Sequence, residues 1–293
     1  MPGTVKTSLN YYPMAGCNEM HLGSVQMFRR TFDPREVVVE DIRGREADFS
    51  LDTHGFMLHP HISQHVSGAD TSTVVHEMYP ETAAMLKEIA GATRVHVFSH
   101  LIRSASFEEM QRMAATSTPG TSYAGNVAPA RAVHIDQSET GAYDILHDNM
   151  SEDEVERLQK SRWAIINVWR PLEPIKRDPL GLCDARSASE EDLVDVPTHL
   201  PSKSTGDKYT ELSKGRSFGS FRVRYSDAHK WYYASEMTTE EVLLIKIFDS
   251  DKSGHRARRT PHSSFADPAA VHDSSPRKSL EIRCLVFFEN EDA

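Results

Sequence analysis

The sequence contains few cysteines and no long apolar run, and each absence excludes a class of protein. The three cysteines, Cys17, Cys183 and Cys284, are widely spaced and form no CxxC pair. They indicate neither a disulfide framework nor a thiolate zinc site, and they favour a reducing compartment. No segment approaches the roughly 18 consecutive apolar residues of a membrane span, and the first residues lack the apolar run of a signal peptide. We therefore expect a cytoplasmic protein.

Positive charge is in deficit, which limits the partners we expect. Lysine and arginine total 33 against 43 aspartate and glutamate residues, a formal net charge of −10. Phosphate backbones and anionic lipids repel such a chain. We therefore expect a small-molecule partner rather than nucleic acid or a membrane. The sequence leaves homodimerisation open, because exposed apolar surface cannot be read from it.

Three common catalytic motifs are missing or misplaced. No glycine-rich phosphate loop of the Walker or dinucleotide type occurs. His76-Glu77 has no histidine four residues after His76, so the zincin motif fails. The segment 215–219 fits Gly-x-Ser-x-Gly, but a polar loop precedes it and a predicted strand follows, whereas a nucleophile elbow needs a strand before and a helix after. Serine hydrolase chemistry is therefore not expected.

Apolar residues alternate mostly with a period of two, which predicts a protein built mainly from strands. The predicted strands are Val37–Asp41, Arg94–Ile102, Arg131–Asp136, Arg162–Trp169, Phe218–Tyr225, Trp231–Met237, Leu243–Phe248 and Leu280–Phe288. Helical signals cover Pro80–Ala92 and Ser106–Ala115, and capping pairs open two more segments, Ser151 with Glu154 and Ser189 with Asp192. Two polar segments, Pro197–Gly215 and Ser250–Asp273, are predicted to be loops.

Strands and helices do not alternate strictly, so a doubly wound parallel sheet is disfavoured. The pattern predicts a mainly β fold with helical additions, organised as an antiparallel double sheet or a jelly roll, the double-stranded β-helix. We expect residues 1–293 to form one domain. Residues 1–115 would be an N-terminal α/β elaboration, and 116–293 would carry the metal-binding core.

The segment His134-Ile135-Asp136 carries the clearest chemical signal. Side chains at i and i+2 of a strand point the same way, so an imidazole and a carboxylate can converge on one ion. A second imidazole would complete the two-histidine, one-carboxylate set that binds non-haem iron(II) and leaves positions open. His262, far downstream, supplies a candidate for it.

After His262, Arg277-Lys278-Ser279 opens the predicted final strand. Arg277 and Ser279 are two residues apart on an extended segment and therefore share a face. A guanidinium fork and a hydroxyl can together bind a carboxylate there. Arg283 lies on the same face and is the alternative carboxylate clamp.

The order His-x-Asp, distal His, then Arg-x-Ser resembles the iron(II)- and 2-oxoglutarate-dependent dioxygenases and their relative isopenicillin N synthase, which share the jelly roll. More narrowly, the chain resembles the hydroxylase/desaturase family of fungal natural-product clusters. That family includes aspergillic acid hydroxylase-like and gibberellin desaturase-like proteins, and it is related to a cephamycin methoxylation protein. The resemblance runs from about Val5 to Val286, nearly the whole chain. Seven segments carry it: 134–138, 162–172, 179–184, 231–233, 248–250, 261–262 and 277–283.

The resemblance implies an oxygenase that uses Fe(II), 2-oxoglutarate and O2. His134, Asp136 and His262 would bind iron, and 2-oxoglutarate would chelate it through its keto acid end. The far carboxylate of 2-oxoglutarate would bind Arg277 and Ser279. A small natural-product or amino-acid-derived substrate would then be hydroxylated, desaturated or cyclised after hydrogen abstraction from a C–H bond.

Five further residues are candidates for substrate binding. Asn167 and Trp169 share one face of a predicted strand, Tyr123 lies in the loop before the metal-binding strand, and Arg170 or Arg103 would pair with a substrate carboxylate. Two alternatives to the 2-oxoglutarate-dependent oxygenase stay open. One is an iron-dependent oxidase that does not use 2-oxoglutarate, and the other is a non-catalytic jelly-roll binding protein.

Overall fold

Among the described residues, fourteen strands in two sheets make up the larger part of the regular secondary structure. This computed structural model describes residues 3–15, 19–118, 127–200, 217–268, 270 and 275–292. The strands are β1 (Thr4–Tyr11), β2 (Met20–His21), β3 (Asp33–Asp41), β4 (Phe56–Pro60), β5 (Arg94–Arg103), β6 (His134–Ile135), β7 (Ser161–Pro171), β8 (Leu180–Cys183), β9 (Leu193–His199), β10 (Phe218–Val223), β11 (Trp231–Tyr233), β12 (Glu241–Asp249), β13 (His262–Ser264) and β14 (Ser279–Asp292).

Short helices connect or cover these strands. They are α1 (Thr71–Thr73), a π-helical turn (Val74–Met78), α2 (Tyr79–Ala90), α3 (Phe107–Thr116), α4 (Glu139–Asn149), α5 (Glu152–Leu158) and 3₁₀ turns at Val25–Phe28, Glu46–Asp48, Ala185–Ser187 and Glu190–Asp192. The predicted capping box at Ser151 opens α5, and the one at Ser189 opens only a 3₁₀ turn. The helix predicted to reach Ala92 ends earlier, because Gly91 adopts a φ of 70° and caps α2.

The sheets differ in size. The larger has the order β1-β3-β11-β8-β13-β6-β10-β9-β2, and the smaller has the order β4-β12-β7-β14-β5. The pairs are antiparallel except β3 with β11 and β2 with β9. Strands before residue 104 thus belong to both sheets. The expected mainly β fold is confirmed, and its sheets form the jelly-roll core.

Each face of the smaller sheet packs against a different partner. On β7, Trp163, Ile165 and Trp169 join one buried cluster that also contains Leu180 and Leu182 of the larger sheet. The alternate residues of β7 join a second cluster that includes side chains from the α1–α2 helical run. The inner face of β7 therefore looks toward the larger sheet, and the outer face is covered by helices. Among the described residues, no helix has the length and apolar character needed to cross a membrane.

Several elements differ from the sequence-based prediction. The loop predicted over Ser250–Asp273 contains β13, and β9 enters the loop predicted to begin at Pro197, whose residues 201–216 lie outside the described part. All three residues of β13 are buried, so it lacks the alternation that marks a half-exposed strand. The pattern also misses α4, where Gly141 and Asn149 are poor helix formers.

Candidate metal centre

Two neighbouring strands of the larger sheet bring the predicted metal ligands together. His134 on β6 and His262 on β13 are cross-strand partners, and Asp136 follows β6 directly. One ligand atom from each lies within 4.8 Å of the others. The two imidazole centroids are 4.4 Å apart, and both rings are buried. The three residues therefore form one buried cluster of two imidazoles and a carboxylate.

Backbone carbonyl groups fix the tautomer of both imidazoles. His134 Nδ1 donates to the carbonyl of Ala132 at 2.7 Å, and His262 Nδ1 donates to that of Thr260 at 3.0 Å. Burial, reinforced by the nearby His262, lowers the pKa of His134 to about 4, so its ring is neutral at pH 7. His134 Nε2 then presents a lone pair, as the ring nitrogen of a metal-ligating histidine does. His134 Nε2 faces Asp136 Oδ1 at 3.4 Å, and a shared cation would satisfy both atoms.

A close backbone approach positions the segment before His262. Thr260 Oγ1 donates to the carbonyl of Gly55 at 2.7 Å, while the Thr260 carbonyl accepts from His262. Gly55 has a φ of 81°, and a Cβ built there would lie 2.1 Å from Thr260 Oγ1. Glycine is required here because the φ is positive and because a Cβ would clash with the Thr260 hydroxyl. This contact therefore sets the acceptor that orients the distal imidazole.

The opposite sheet supplies two partners for the carboxylate of Asp136. Its Oδ2 accepts from Asn167 Nδ2 at 2.8 Å and from Arg283 Nε at 3.1 Å. Asn167 on β7 and Arg283 on β14 are cross-strand partners. Burial alone would raise the pKa of Asp136, but the charge of Arg283 holds it well below its usual range. The carboxylate is therefore ionised and fixed, with Oδ1 turned toward His134.

These contacts give two of the predicted site residues, Arg283 and Asn167, a different partner from the expected one. Arg283, offered as the alternative clamp for 2-oxoglutarate, contacts Asp136 and the carboxylate of Glu281. Asn167, offered as a substrate contact, also binds Asp136. Strand alternation predicts the face on which both side chains lie, but it cannot predict that the facing sheet presents a carboxylate to them.

Arg277 and Ser279 form a separate polar site at the start of β14. Arg277 donates to Ser264 Oγ at 3.1 Å and to the carbonyl of Asp178, and its guanidinium carbon is 5.2 Å from the Trp169 ring centroid. Burial lowers the pKa of Arg277 to about 9. Arg277 Nε and Ser279 Oγ are buried without a hydrogen-bond partner among the described residues. A buried cation and hydroxyl with such unused capacity fit a ligand carboxylate.

The remaining substrate candidates fall in different places. Trp169 is on the inner face of β7, beneath Arg277. Arg103 lines a cavity beside the metal cluster and donates to the Ala128 carbonyl at 2.7 Å. Arg170 points to the outer face, because it alternates with Trp169, and donates to the carbonyls of His61 and Thr239 at 3.0 Å each. That placement does not bring Arg170 to this centre. Tyr123 lies outside the described residues.

A cavity of about 240 Å³ opens beside the metal cluster. His134, Asp136 and Arg283 line one part of it. Most of its remaining wall is apolar and includes Met20, Leu22, Met27, Phe28, Leu101, Phe107 and Phe218. Arg222 and Gln137 also line the cavity, and neither was predicted to be a site residue. The strand carrying Arg222 was predicted, but its pairing with β6 was not.

Comparisons with known proteins agree with this geometry. A family model described as "Oxidoreductase/YMDC permease-like domain" matches residues 9–287. The hydroxylase/desaturase efuI of Hormonema carpetanum is 40% identical over 295 residues, covering 99% of this chain and 97% of the relative. The hydroxylase/desaturase asaB of Aspergillus flavus is 36% identical over 289 residues, covering 98% and 96%. The structure of the iron and alpha-ketoglutarate-dependent endoperoxidase NvfI matches with a TM-score of 0.76 and 26% identity, over 97% of this chain and 98% of that one.

Proposed function

We propose that this chain, which belongs to the family of fungal hydroxylase/desaturases, is an iron(II)- and 2-oxoglutarate-dependent oxygenase of a small metabolite. One observation carries the proposal. Two imidazoles and an ionised carboxylate converge in a buried cluster, with both Nδ1 atoms donating to backbone carbonyls. The likeness to the endoperoxidase NvfI supports the same chemistry.

The donor set fits iron(II). His134 Nε2, His262 Nε2 and Asp136 Oδ1 would bind the metal, and two imidazoles with one carboxylate are the set that leaves positions open for other ligands. Bound there with 2-oxoglutarate and O2, iron would supply the oxidising power needed to attack an unactivated C–H bond. Arg283 and Asn167 would keep Asp136 ionised and correctly turned, as partners of metal ligands do.

Arg277 and Ser279 would bind the far carboxylate of 2-oxoglutarate. The unused hydrogen-bonding capacity of Arg277 Nε and Ser279 Oγ supports this assignment. The indole of Trp169 packs beneath the guanidinium and limits where Arg277 can lie. Because this site is buried, a charge-assisted hydrogen bond there is stronger than one in water.

The apolar wall of the cavity would receive the substrate and exclude water from the reacting C–H bond. Hydroxylation, desaturation and ring formation all begin with the loss of hydrogen from carbon, so the same site serves each of them. We place the enzyme in the cytoplasm, because its three widely spaced cysteines favour a reducing compartment. We expect neither a nucleic-acid nor a membrane partner, because the net charge of −10 disfavours both.

An anaerobic titration tests the proposal. Purified apoprotein receives Fe(II) and then 2-oxoglutarate, and the weak visible charge-transfer band of the chelate is recorded. We expect a band that saturates at a single equivalent and is absent in His262→Ala. Iron binding without the band would instead support the oxidase that does not use 2-oxoglutarate, and failure to bind iron would support the non-catalytic binding protein.

A further inference from the structure

Arg222 is a buried cation on the wall of the cavity beside the metal cluster. It lies on β10, where it is the cross-strand partner of His134, and only 7% of the residue is exposed. Cross-strand partners share a face of the sheet. The guanidinium therefore lies on the side of the larger sheet that presents His134.

The described residues give Arg222 no counter-ion. Its hydrogen-bond acceptors are neutral, namely Met20 Sδ at 2.7 Å and Ser220 Oγ at 3.4 Å, and its Nε has no partner among the described residues. Asp136 is a nearby carboxylate, but its Oδ2 is already bound by Arg283 and Asn167. A buried charge without a partner is costly, so such groups normally meet an opposite charge.

Other arginines near Arg222 increase the excess of positive charge in the cavity. Burial, together with the like charge of Arg30, lowers the pKa of Arg222 to about 9. Arg30 and Arg103 line the same cavity, and among the described residues each donates to a backbone carbonyl, that of Glu19 and that of Ala128. Arg131, which also lines the cavity, is paired with Asp178. Among the described residues, Arg222, Arg30 and Arg103 thus line this cavity without a paired carboxylate, although the chain as a whole is acidic.

Given the proposed function, we infer that the substrate carries an anionic group, with carboxylate as the chemical class, and that Arg222 binds it. The guanidinium fork matches a carboxylate in two parallel hydrogen bonds. Anchoring the acid beside His134 would present a nearby C–H bond to the metal centre, so Arg222 would select both the substrate and the carbon oxidised. Arg222 would not bind the far carboxylate of 2-oxoglutarate, because we assign that group to Arg277 and Ser279 at the start of β14 in the smaller sheet.

Matched acids and amides test this inference. The probes are benzoate, 1-naphthoate and decanoate, each with its primary amide, added anaerobically to protein loaded with Fe(II) and 2-oxoglutarate. Calorimetry gives the Kd, and the charge-transfer band reports whether 2-oxoglutarate stays bound. We expect at least one acid to bind the wild type about tenfold more tightly than its amide. The ratio should fall close to unity in Arg222→Gln and be partly kept in Arg222→Lys.

Arg103→Gln is the matched control, since Arg103 lines the same cavity, and it should retain the preference for the acid. The inference is overturned if the wild type prefers no acid, if the preference survives in Arg222→Gln, or if it disappears only in Arg103→Gln. Loss of the charge-transfer band on adding an acid would also overturn it, because the acid would then occupy the 2-oxoglutarate site. A wild-type protein that shows no band before any probe is added refutes the proposed function instead.

Discussion

Two clusters in this chain each combine two histidines with one carboxylate, but their surroundings differ. In the buried cluster of His134, Asp136 and His262, and in an exposed cluster of Glu19, His21 and His199, the ligand atoms all lie within 4.8 Å of one another. Distance between donors therefore does not distinguish them. The clusters differ in the hydrogen-bond partners of the side-chain atoms that would not bind a metal, and in how far the side chains are exposed.

In the exposed cluster, Glu19 itself contacts both imidazoles. Its carboxylate oxygens lie 3.4 Å from His21 Nε2 and 3.1 Å from His199 Nε2, and about half of the Glu19 and His21 side chains is exposed. In the buried cluster, backbone carbonyls fix the tautomers, and Arg283 and Asn167 bind the second carboxylate oxygen. Fixed tautomers and a neutralised, oriented carboxylate are what prepare a site for a metal.

Removing the carboxylate of each cluster should give the largest difference in iron binding between the two clusters. Loss of a residue that hydrogen-bonds a metal ligand typically weakens metal binding by roughly 10–100-fold. Asp136→Ala removes a ligand itself, so its Fe(II) affinity should fall by more than that, and turnover of 2-oxoglutarate should cease. Glu19→Gln, the matched control, should bind one iron and turn over as the wild type does. Metal analysis after gel filtration checks both variants. Iron bound normally by Asp136→Ala would contradict the assignment of the buried cluster.

The next largest effect is expected at Arg277. Arg277→Met should weaken 2-oxoglutarate binding by about 10–100-fold, because a charge-assisted hydrogen bond in a buried site is lost. Iron affinity should be unchanged, since Arg277 contacts none of the three ligands. A titration of the charge-transfer band with 2-oxoglutarate measures this separation. Equal losses of both affinities would show that the variant disturbs the fold and not one subsite.

A partner of the carboxylate should matter less than the carboxylate itself. Asn167→Ala removes one hydrogen bond to Asp136, and we expect Fe(II) affinity to fall by about tenfold. Asn149→Ala is the matched control, because Asn149 also donates one hydrogen bond, at 2.8 Å to Ile145, but lies on α4 away from the site. Competition with a coloured chelator gives both affinities. Similar values for the two variants would exclude a positioning role for Asn167.

The smallest effect is expected in the stability of the exposed cluster. Hydrogen bonds from His21 and His199 lower the pKa of Glu19, so the ionised carboxylate favours the folded state above its unfolded pKa. That contribution is lost as the pH falls through the lowered value. Glu19→Gln should therefore reduce Tm by no more than about 2 °C at pH 7, with a smaller difference in acid. A constant difference at every pH would contradict this explanation.

Local patterns were sufficient for part of the fold and of the site. Alternation and a high content of β-branched residues predicted the long strands β5, β7, β12 and β14. The i, i+2 spacing placed His134 and Asp136 on one face, and it did the same for Arg277 and Ser279. The resemblance to a family then gave His262 its expected role and supplied the expected cofactors.

The same patterns failed where contacts across the chain decide structure. Strand β13 is short and wholly buried, and α4 forms although it contains two poor helix formers, Gly141 and Asn149. At the start of α4, a Cβ on Gly141 would lie 2.0 Å from the carbonyl oxygen of Gly219 on β10. Packing of this kind is invisible in a window of neighbouring residues.

The sequence by itself determined which residue types carry the chemistry and which of them share a strand face, because side-chain direction follows from local backbone geometry. Only the tertiary structure decided the neighbours of those residues. The pairing of β6 with β13 brings His262 to His134, the facing sheet turns Asn167 and Arg283 onto Asp136, and β10 places Arg222 beside the cavity. Strand pairing and sheet packing join residues far apart in the chain, so their outcome depends on the whole core and not on any one segment.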